Sequence, residues 1–123
     1  MKAQAITVDG RLRDPGVPDD AVGAYRFMDF FVGPGWVIHR LDDELCVVSL
    51  LRKDAPQARN LHAEVLLAAI GVPEARRPKL YGDAVLLTLK PGLISRKPRF
   101  RGLSQFHDEL ITAAFAAMEQ AGV

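Results

Sequence analysis

The pattern that decides the fold lies in residues 36–51, which run Trp-Val-Ile-His-Arg-Leu-Asp-Asp-Glu-Leu-Cys-Val-Val-Ser-Leu-Leu. Two runs rich in β-branched and other apolar residues, 36–41 and 45–51, flank the acidic tripeptide 42–44. Such runs favour extended strands, and a short polar insert between them favours a tight antiparallel connection. The sequence therefore predicts a β-hairpin and, around it, a mainly antiparallel sheet.

Two further segments have the pattern of a strand. Residues 4–8 alternate polar and apolar side chains, and residues 82–89 are mostly apolar. Alternation and short apolar runs are both typical of strands. Residues 11–20, which contain Pro and Gly, and the basic segment that follows residue 91 are predicted to be loops.

Three segments have the pattern of a helix. Residues 21–32 follow Asp19 and Asp20, either of which can cap a helix with its carboxylate, and residues 56–70 carry apolar side chains at spacings of three and four. Ser104 is expected to cap a last helix. We expect residues 1–123 to form a single α+β domain, with a mainly antiparallel sheet of about four strands and two or three helices packed on one of its faces.

Composition limits the classes of protein to consider. A chain of 123 residues with 49% hydrophobic residues can bury one core. Its single cysteine excludes an internal disulfide and a Cys-based zinc site within one chain. The longest uncharged apolar stretch, residues 65–72, is too short to cross a bilayer, and the first residues lack the apolar centre of a signal peptide. We therefore expect a cytoplasmic protein with no membrane contact.

Charge is segregated along the chain although the net charge is only +1. Between residues 76 and 101 there are eight basic residues and one acid, whereas the segments on either side are each acidic. The basic residues are Arg76, Arg77, Lys79, Lys90, Arg96, Lys97, Arg99 and Arg101. Like charges held together raise the local potential, so this pattern predicts a surface that attracts an anionic partner.

Residues 20–89 contain an ordered set of motifs. A helix ends in Val32-Gly33, a hairpin follows with Trp36-Val37-Ile38, a second helix begins near Asn60, and an apolar strand follows Gly82-Asp83. In this order the chain resembles a family of small domain-of-unknown-function proteins scattered through phages, plasmids and other mobile elements. The resemblance implies an origin in a mobile element, and it supplies no catalytic residues.

One pair of side chains suggests nucleophilic chemistry. If Asp42 and Asp43 form a two-residue turn, His39 faces Cys46 on the same side of the hairpin. A neighbouring imidazolium would lower the pKa of the thiol and yield a thiolate nucleophile. The other interpretation is that Cys46 is a small core residue, and no orienting third group is evident. No phosphate loop or metal-binding motif is present, so we expect no cofactor and no metal.

The basic segment 96–101 is open to three interpretations. Pro98-Arg99 and Arg101 resemble an AT-hook, but Phe100 stands where that motif needs glycine to enter the minor groove. A nucleic-acid surface could still use the arginines on phosphates while Phe100 stacks on an unpaired base. Arginine beside an aromatic residue is equally the composition of a protein-binding hot spot. The third interpretation is a solvated loop whose charge serves solubility.

From these patterns we expect a small non-catalytic interaction protein that binds a partner protein through a basic edge. The resemblance implies that it belongs to a mobile element, where it would bind a host or phage protein and inhibit or regulate that protein, for example against host defence. The predicted binding residues are Arg96, Lys97, Arg99, Phe100 and Arg101, supplemented by Arg76, Arg77 and Lys79 if the fold brings the two segments together. The alternatives are a nucleic-acid-binding protein that uses residues 96–101 and a Cys/His-dependent enzyme. A homodimer through the hairpin edge or the last helix is a further option.

Overall fold

Six strands and three α-helices form in the described residues, which are 1–90 and 99–122 of a computed structural model. The helices are α1 (Ala21–Phe31), α2 (Leu61–Ala69) and α3 (Gln105–Gln120). The strands are β1 (Gln4–Ile6), β2 (Leu12–Arg13), β3 (Val37–Arg40), β4 (Leu45–Leu50), β5 (Tyr81–Leu89) and β6 (Phe100–Arg101). The predicted α+β class is confirmed. Six strands are present rather than about four, because β2 and β6 lie in segments predicted to be loops.

All strand pairings in the sheet are antiparallel, as predicted from the hairpin. The strand order is β2-β1-β5-β4-β3, so β5 occupies the middle. On one side β5 pairs with β4. On its other side β1 pairs with residues 84–86 and β6 with residues 88–89, so these two short strands follow one another along the same side of β5.

Apolar side chains cover both faces of the sheet. On one face α2 and α3 pack over a core that includes Leu86, and on the other face α1 packs over a core that includes Leu87. Both leucines are fully buried. The prediction that the helices lie on one face is therefore wrong. The physical reason is that β4 and β5 carry consecutive apolar residues, and consecutive strand residues point to opposite faces.

Helix caps set where two of the three helices begin, as the sequence predicts. The carboxylate of Asp20 accepts a hydrogen bond of 2.7 Å from the Gly23 amide at the start of α1. The hydroxyl of Ser104 accepts one of 3.1 Å from the His107 amide at the start of α3. These bonds satisfy amides that have no partner within the helix.

Helix α2 begins at Leu61 instead of residue 56, and Asn60 is the reason. The side chain of Asn60 accepts a hydrogen bond of 2.9 Å from the Ala63 amide, and its NH₂ group donates to the carbonyls of Ile6 (2.9 Å) and Gly82 (3.0 Å). The Asn60 amide also donates to the Leu80 carbonyl at 2.8 Å. The chain just before α2 is thus held to β1 and to the start of β5, and it becomes helical only beyond Asn60.

Candidate functional site

The predicted Cys/His pair does not form, because the register of the hairpin differs by one residue from the expected one. Arg40 lies opposite Cys46, and His39 lies opposite Val47. The Leu41 amide donates to the Leu45 carbonyl at 2.9 Å, which leaves three residues at the tip instead of two. A shift of one residue moves a side chain to the other face of a sheet, so His39 and Cys46 point to opposite faces.

A side-chain hydrogen bond accounts for this longer tip. One carboxylate oxygen of Asp42 accepts from the amides of Glu44 at 2.7 Å and Leu45 at 2.6 Å. Asp side chains commonly bond the backbone two residues further on, and the resulting turn competes with a two-residue loop. Asp42 is therefore a structural residue of the tip, which the sequence interpretation did not foresee.

Cys46 is buried in the core on the α1 side of the sheet, with no exposed surface. Burial raises the pKa of the Cys46 thiol to about 12. Burial also lowers the pKa of His39, and its buried Nε2 atom has no hydrogen-bond partner among the described residues. A neutral thiol and a neutral imidazole on opposite faces cannot form a nucleophile and its base.

We expect Cys46 to be inert in the folded protein. With a pKa of about 12, only about one thiol in ten thousand is ionised at pH 8, and the sulfur has no access to solvent. Ellman's reagent at pH 8 should therefore react with less than about 5% of the protein in an hour and with all of it in guanidinium chloride. Rapid reaction of the folded protein would contradict the burial of this residue.

Exposed cations gather at the end of β5 that is paired with β6. Thr88 lies opposite Arg101, and the Lys90 amide donates to the Arg99 carbonyl at 2.9 Å. Lys90, Arg99 and Arg101 are all exposed, and together they line a recess of about 300 Å³. None of the three lies in an ion pair with a carboxylate of the described residues. We call these three residues the basic edge.

Phe100 is part of the core and does not belong to the exposed surface. Its side chain is 9% exposed, and its ring centroid lies 5.7 Å from that of Tyr25 and 6.1 Å from that of Trp36. The expectation that this ring stacks on an unpaired base is therefore wrong for this structure. Alternation explains the difference, since Arg99 and Arg101 face away from the core that Phe100 enters.

Arg77 and Lys79 lie away from the basic edge. They precede the Tyr81 end of β5, whereas Arg99 and Arg101 lie at its Leu89 end, and a nine-residue strand spans about 26 Å. The fold therefore does not bring these two segments together, and Arg77 and Lys79 do not supplement the basic edge. Arg96 and Lys97 fall in residues 91–98, outside the described part of the chain.

The surroundings of Arg77 and Lys79 carry both signs of charge. They line a recess of about 330 Å³ together with Arg59, Glu64 and Glu74. Two hydrogen bonds of 3.0 Å join the Arg59 guanidinium to the Glu64 carboxylate. Burial alone would raise the pKa of Glu64, but the hydrogen bonds from Arg59 and the Leu80 amide outweigh it, so that this pKa is lowered. This recess therefore carries three cations beside two carboxylates and is not a purely cationic surface.

Arg76 lies at the rim of a third concavity, a cleft of about 420 Å³ between the end of α2, the start of α3 and the hairpin tip. The lining is mainly apolar, and its members include Leu41, Leu45, Ile70, Val72, Phe106 and Leu110. No ion pair involving Arg76 forms within the described residues. We call this concavity the apolar cleft.

The described residues hold neither a cluster of metal ligands nor a membrane-spanning helix. No group of three or more His, Cys, Asp or Glu side chains in this part of the chain is arranged to hold a metal ion. No helix within the same residues is long and apolar enough to cross a membrane. The acidic tip 42–44 accordingly lacks the additional ligands that a divalent cation would need.

Comparison with known proteins gives no match for this chain: no known family, no curated protein and no solved structure matches it. The resemblance to proteins of mobile elements therefore stays a prediction. Function has to be inferred from the chain's own surface.

Sequence interpretation missed two components of this surface. Lys90 belongs to the basic segment but not to the predicted binding residues, and no sequence pattern predicts the apolar cleft. The alternation of Arg99, Phe100 and Arg101 is itself typical of a half-buried strand, and recognising it would have paired these residues with the end of β5. The cleft joins parts of three elements that are distant in sequence, so no local pattern indicates it.

Proposed function

We propose that this protein is a small non-catalytic interaction protein that binds an acidic surface of a partner protein through its basic edge. The observation that carries the proposal is the arrangement of Lys90, Arg99 and Arg101 on paired backbone at the end of β5, where all three are exposed and form no ion pair with a described carboxylate. The one acid among the described residues that line their recess, Asp19, pairs with the amino group of Met1. Strand pairing already orders the backbone that carries these cations, so little backbone conformational freedom is lost when a partner binds. Such a surface gives electrostatic complementarity with acidic groups.

The burial of Phe100 favours a protein partner over nucleic acid. Sequence-tolerant binding of single strands relies on aromatic side chains on which the bases stack, and this ring is packed against Tyr25 and Trp36 instead. Nucleic acid could still contact the arginines through its phosphates. That alternative predicts that the affinity for nucleic acid falls steeply as the salt concentration rises, and that binding does not require an acidic peptide as the ligand.

The biological setting is part of the proposal. The resemblance over residues 20–89 supports an origin in a mobile element, where a small protein without a catalytic site can act by occupying a surface of a host or phage protein. Inhibition or regulation of that protein, including a component of host defence, is the role that we propose. The absence of a formed Cys46 and His39 pair supports a role in binding rather than in catalysis.

Replacing Arg99 and Arg101 by alanine tests the proposal. We expect the double variant to bind a fluorescein-labelled oligoglutamate peptide about ten-fold more weakly than the wild type at about 50 mM salt, because two exposed cations are lost. Fluorescence anisotropy would measure both affinities, with a labelled single-stranded oligonucleotide as the second probe. In a pull-down from the source organism, one protein should be retained by the wild type and lost with the variant.

The matched control is the double variant Arg52→Ala and Lys53→Ala, which removes the same charge from exposed positions outside the basic edge. It should bind the oligoglutamate peptide nearly as well as the wild type. Equal losses in the two double variants would indicate a non-specific effect of net charge and would contradict the proposal. Tighter binding of the oligonucleotide, lost only in the Arg99 and Arg101 variant, would support the nucleic-acid alternative instead.

A further inference from the structure

Arg101 of the basic edge lies on the same face of the sheet as the apolar cleft and close to it, whereas the recess that Arg101 shares with Lys90 and Arg99 also includes Ala21 and Ala24 of α1. Leu45 pairs with Thr88, and Thr88 pairs with Arg101. Residues paired across strands point to the same face, so the Leu45 and Arg101 side chains both lie on the face that carries α2 and α3. Their Cα atoms are two strand spacings apart, about 10 Å.

The start of α3 also connects the two surfaces. Ser104, its capping residue, lines a recess together with Arg101, and Phe106 and His107 line the apolar cleft. The Phe106 side chain is 69% exposed although it forms part of the cleft wall. An exposed aromatic ring beside an apolar concavity is the usual composition of a site that receives an apolar anchor from a partner.

Charge complementarity restricts what the combined surface can accept. Arg76 at the cleft rim and Arg101 beyond the hairpin tip place cations on both sides of the apolar lining. Two acids, Asp42 and Glu44, lie at the tip between them, and one oxygen of the Asp42 carboxylate already accepts two backbone hydrogen bonds. A ligand that crosses the tip should therefore be uncharged where it passes these acids.

We infer that the apolar cleft receives an apolar side chain of the partner, which lies on the same segment as the acids bound by the basic edge. The recognised chemistry is a peptide segment with an aliphatic anchor, about three uncharged residues, and then several carboxylates. The spacing follows from the distance of about 10 Å, since an extended chain covers about 3.3 Å per residue. This inference rests on the proposed function. It adds the apolar side chain that anchors the partner and the spacing between that side chain and the partner's carboxylates.

Two labelled peptides test the inference. The first has a leucine, three glycine and serine residues and then five glutamates, and the second has alanine in place of the leucine. We expect the wild-type protein to bind the leucine peptide about ten-fold more tightly, because the cleft removes the leucine side chain from water. Phe106→Ala should abolish that preference and leave the affinity for the alanine peptide unchanged.

Phe30→Ala is the matched control, because Phe30 is 89% exposed and lies on α1, across the sheet from the cleft. It should retain the full preference for leucine. Far-UV circular dichroism of both variants would establish that they are folded, as expected for two exposed side chains. The Arg99 and Arg101 double variant should weaken the binding of both peptides by the same factor.

The outcomes separate this inference from the proposed function. If the two peptides bind the wild type equally, or if Phe106→Ala keeps the preference for leucine, the proposed apolar anchor is overturned. A loss of affinity in the Arg99 and Arg101 double variant would then still support the basic edge. If neither peptide binds, both are overturned. If the leucine preference persists while the arginine variant has no effect, the cleft binds an apolar side chain without the proposed acidic contact, which overturns the link between the two surfaces.

Discussion

Asn60→Ala should lower the free energy of unfolding by about 3–5 kcal/mol, the largest effect that we expect for a polar residue of this chain. Asn60 has no exposed surface, and its side chain makes three hydrogen bonds, to Ala63, Ile6 and Gly82. The substitution leaves two carbonyls and one amide without these partners in a dry environment. Each buried polar group that loses its partner costs about 1–3 kcal/mol.

Urea unfolding followed by far-UV circular dichroism would measure this loss. Ser104→Ala is the control, because Ser104 caps α3 at an exposed position and should cost only about 1 kcal/mol. Asn60→Asp keeps a capping oxygen but replaces the NH₂ donor by an acceptor that faces two carbonyls, so it should be at least as damaging as alanine. The role assigned to Asn60 would be refuted if Asn60→Ala cost no more than Ser104→Ala.

Leu86→Ala and Leu87→Ala should each lower the free energy of unfolding by about 3 kcal/mol, although the two side chains enter different cores. Each substitution removes buried methyl groups and leaves a cavity that the neighbouring side chains fill only in part. In a sheet covered on one face, one of two adjacent strand residues would be exposed and would cost little. Similar losses at both positions are therefore the expected consequence of helices on both faces.

The same urea experiment would measure these two variants. Val22→Ala is a suitable reference, because Val22 is exposed on α1 and should change stability by less than about 0.5 kcal/mol. A loss near that of Val22→Ala at residue 87, with a full loss at residue 86, would mean that α1 does not cover its face of the sheet.

Local sequence accounts for most of the secondary structure. The sequence predicts the hairpin strands, the apolar strand β5, a cap at Asp19 or Asp20 and the cap at Ser104, because each depends on side chains within a few residues of one another. The start of α2 was predicted too early, since apolar spacing alone cannot show that Asn60 is tied to Ile6 and Gly82. These two partners are 54 and 22 residues away along the chain.

The candidate site was predicted less well, for a related reason. The sequence predicts Arg99 and Arg101 as exposed cations but places Phe100 with them. A charge count does not show that Phe100 and Arg101 form a strand, in which neighbouring side chains point to opposite faces. Arg77 and Lys79 do not join Arg99 and Arg101 in one surface. The two pairs belong to the same basic segment of the sequence, but the length of β5 separates them in the fold.

The sequence by itself determined the α+β class, the antiparallel hairpin and the strong positive charge of residues 76–101, because periodicity, caps and charge are properties of neighbouring residues. The tertiary structure alone decided the hairpin register, the second core beneath α1 and the division of the basic residues among three concavities. Those features depend on contacts between residues far apart in the chain. Asp42 illustrates the difference, since its hydrogen bonds to two amides lengthen the tip by one residue and thereby set His39 and Cys46 on opposite faces of the sheet.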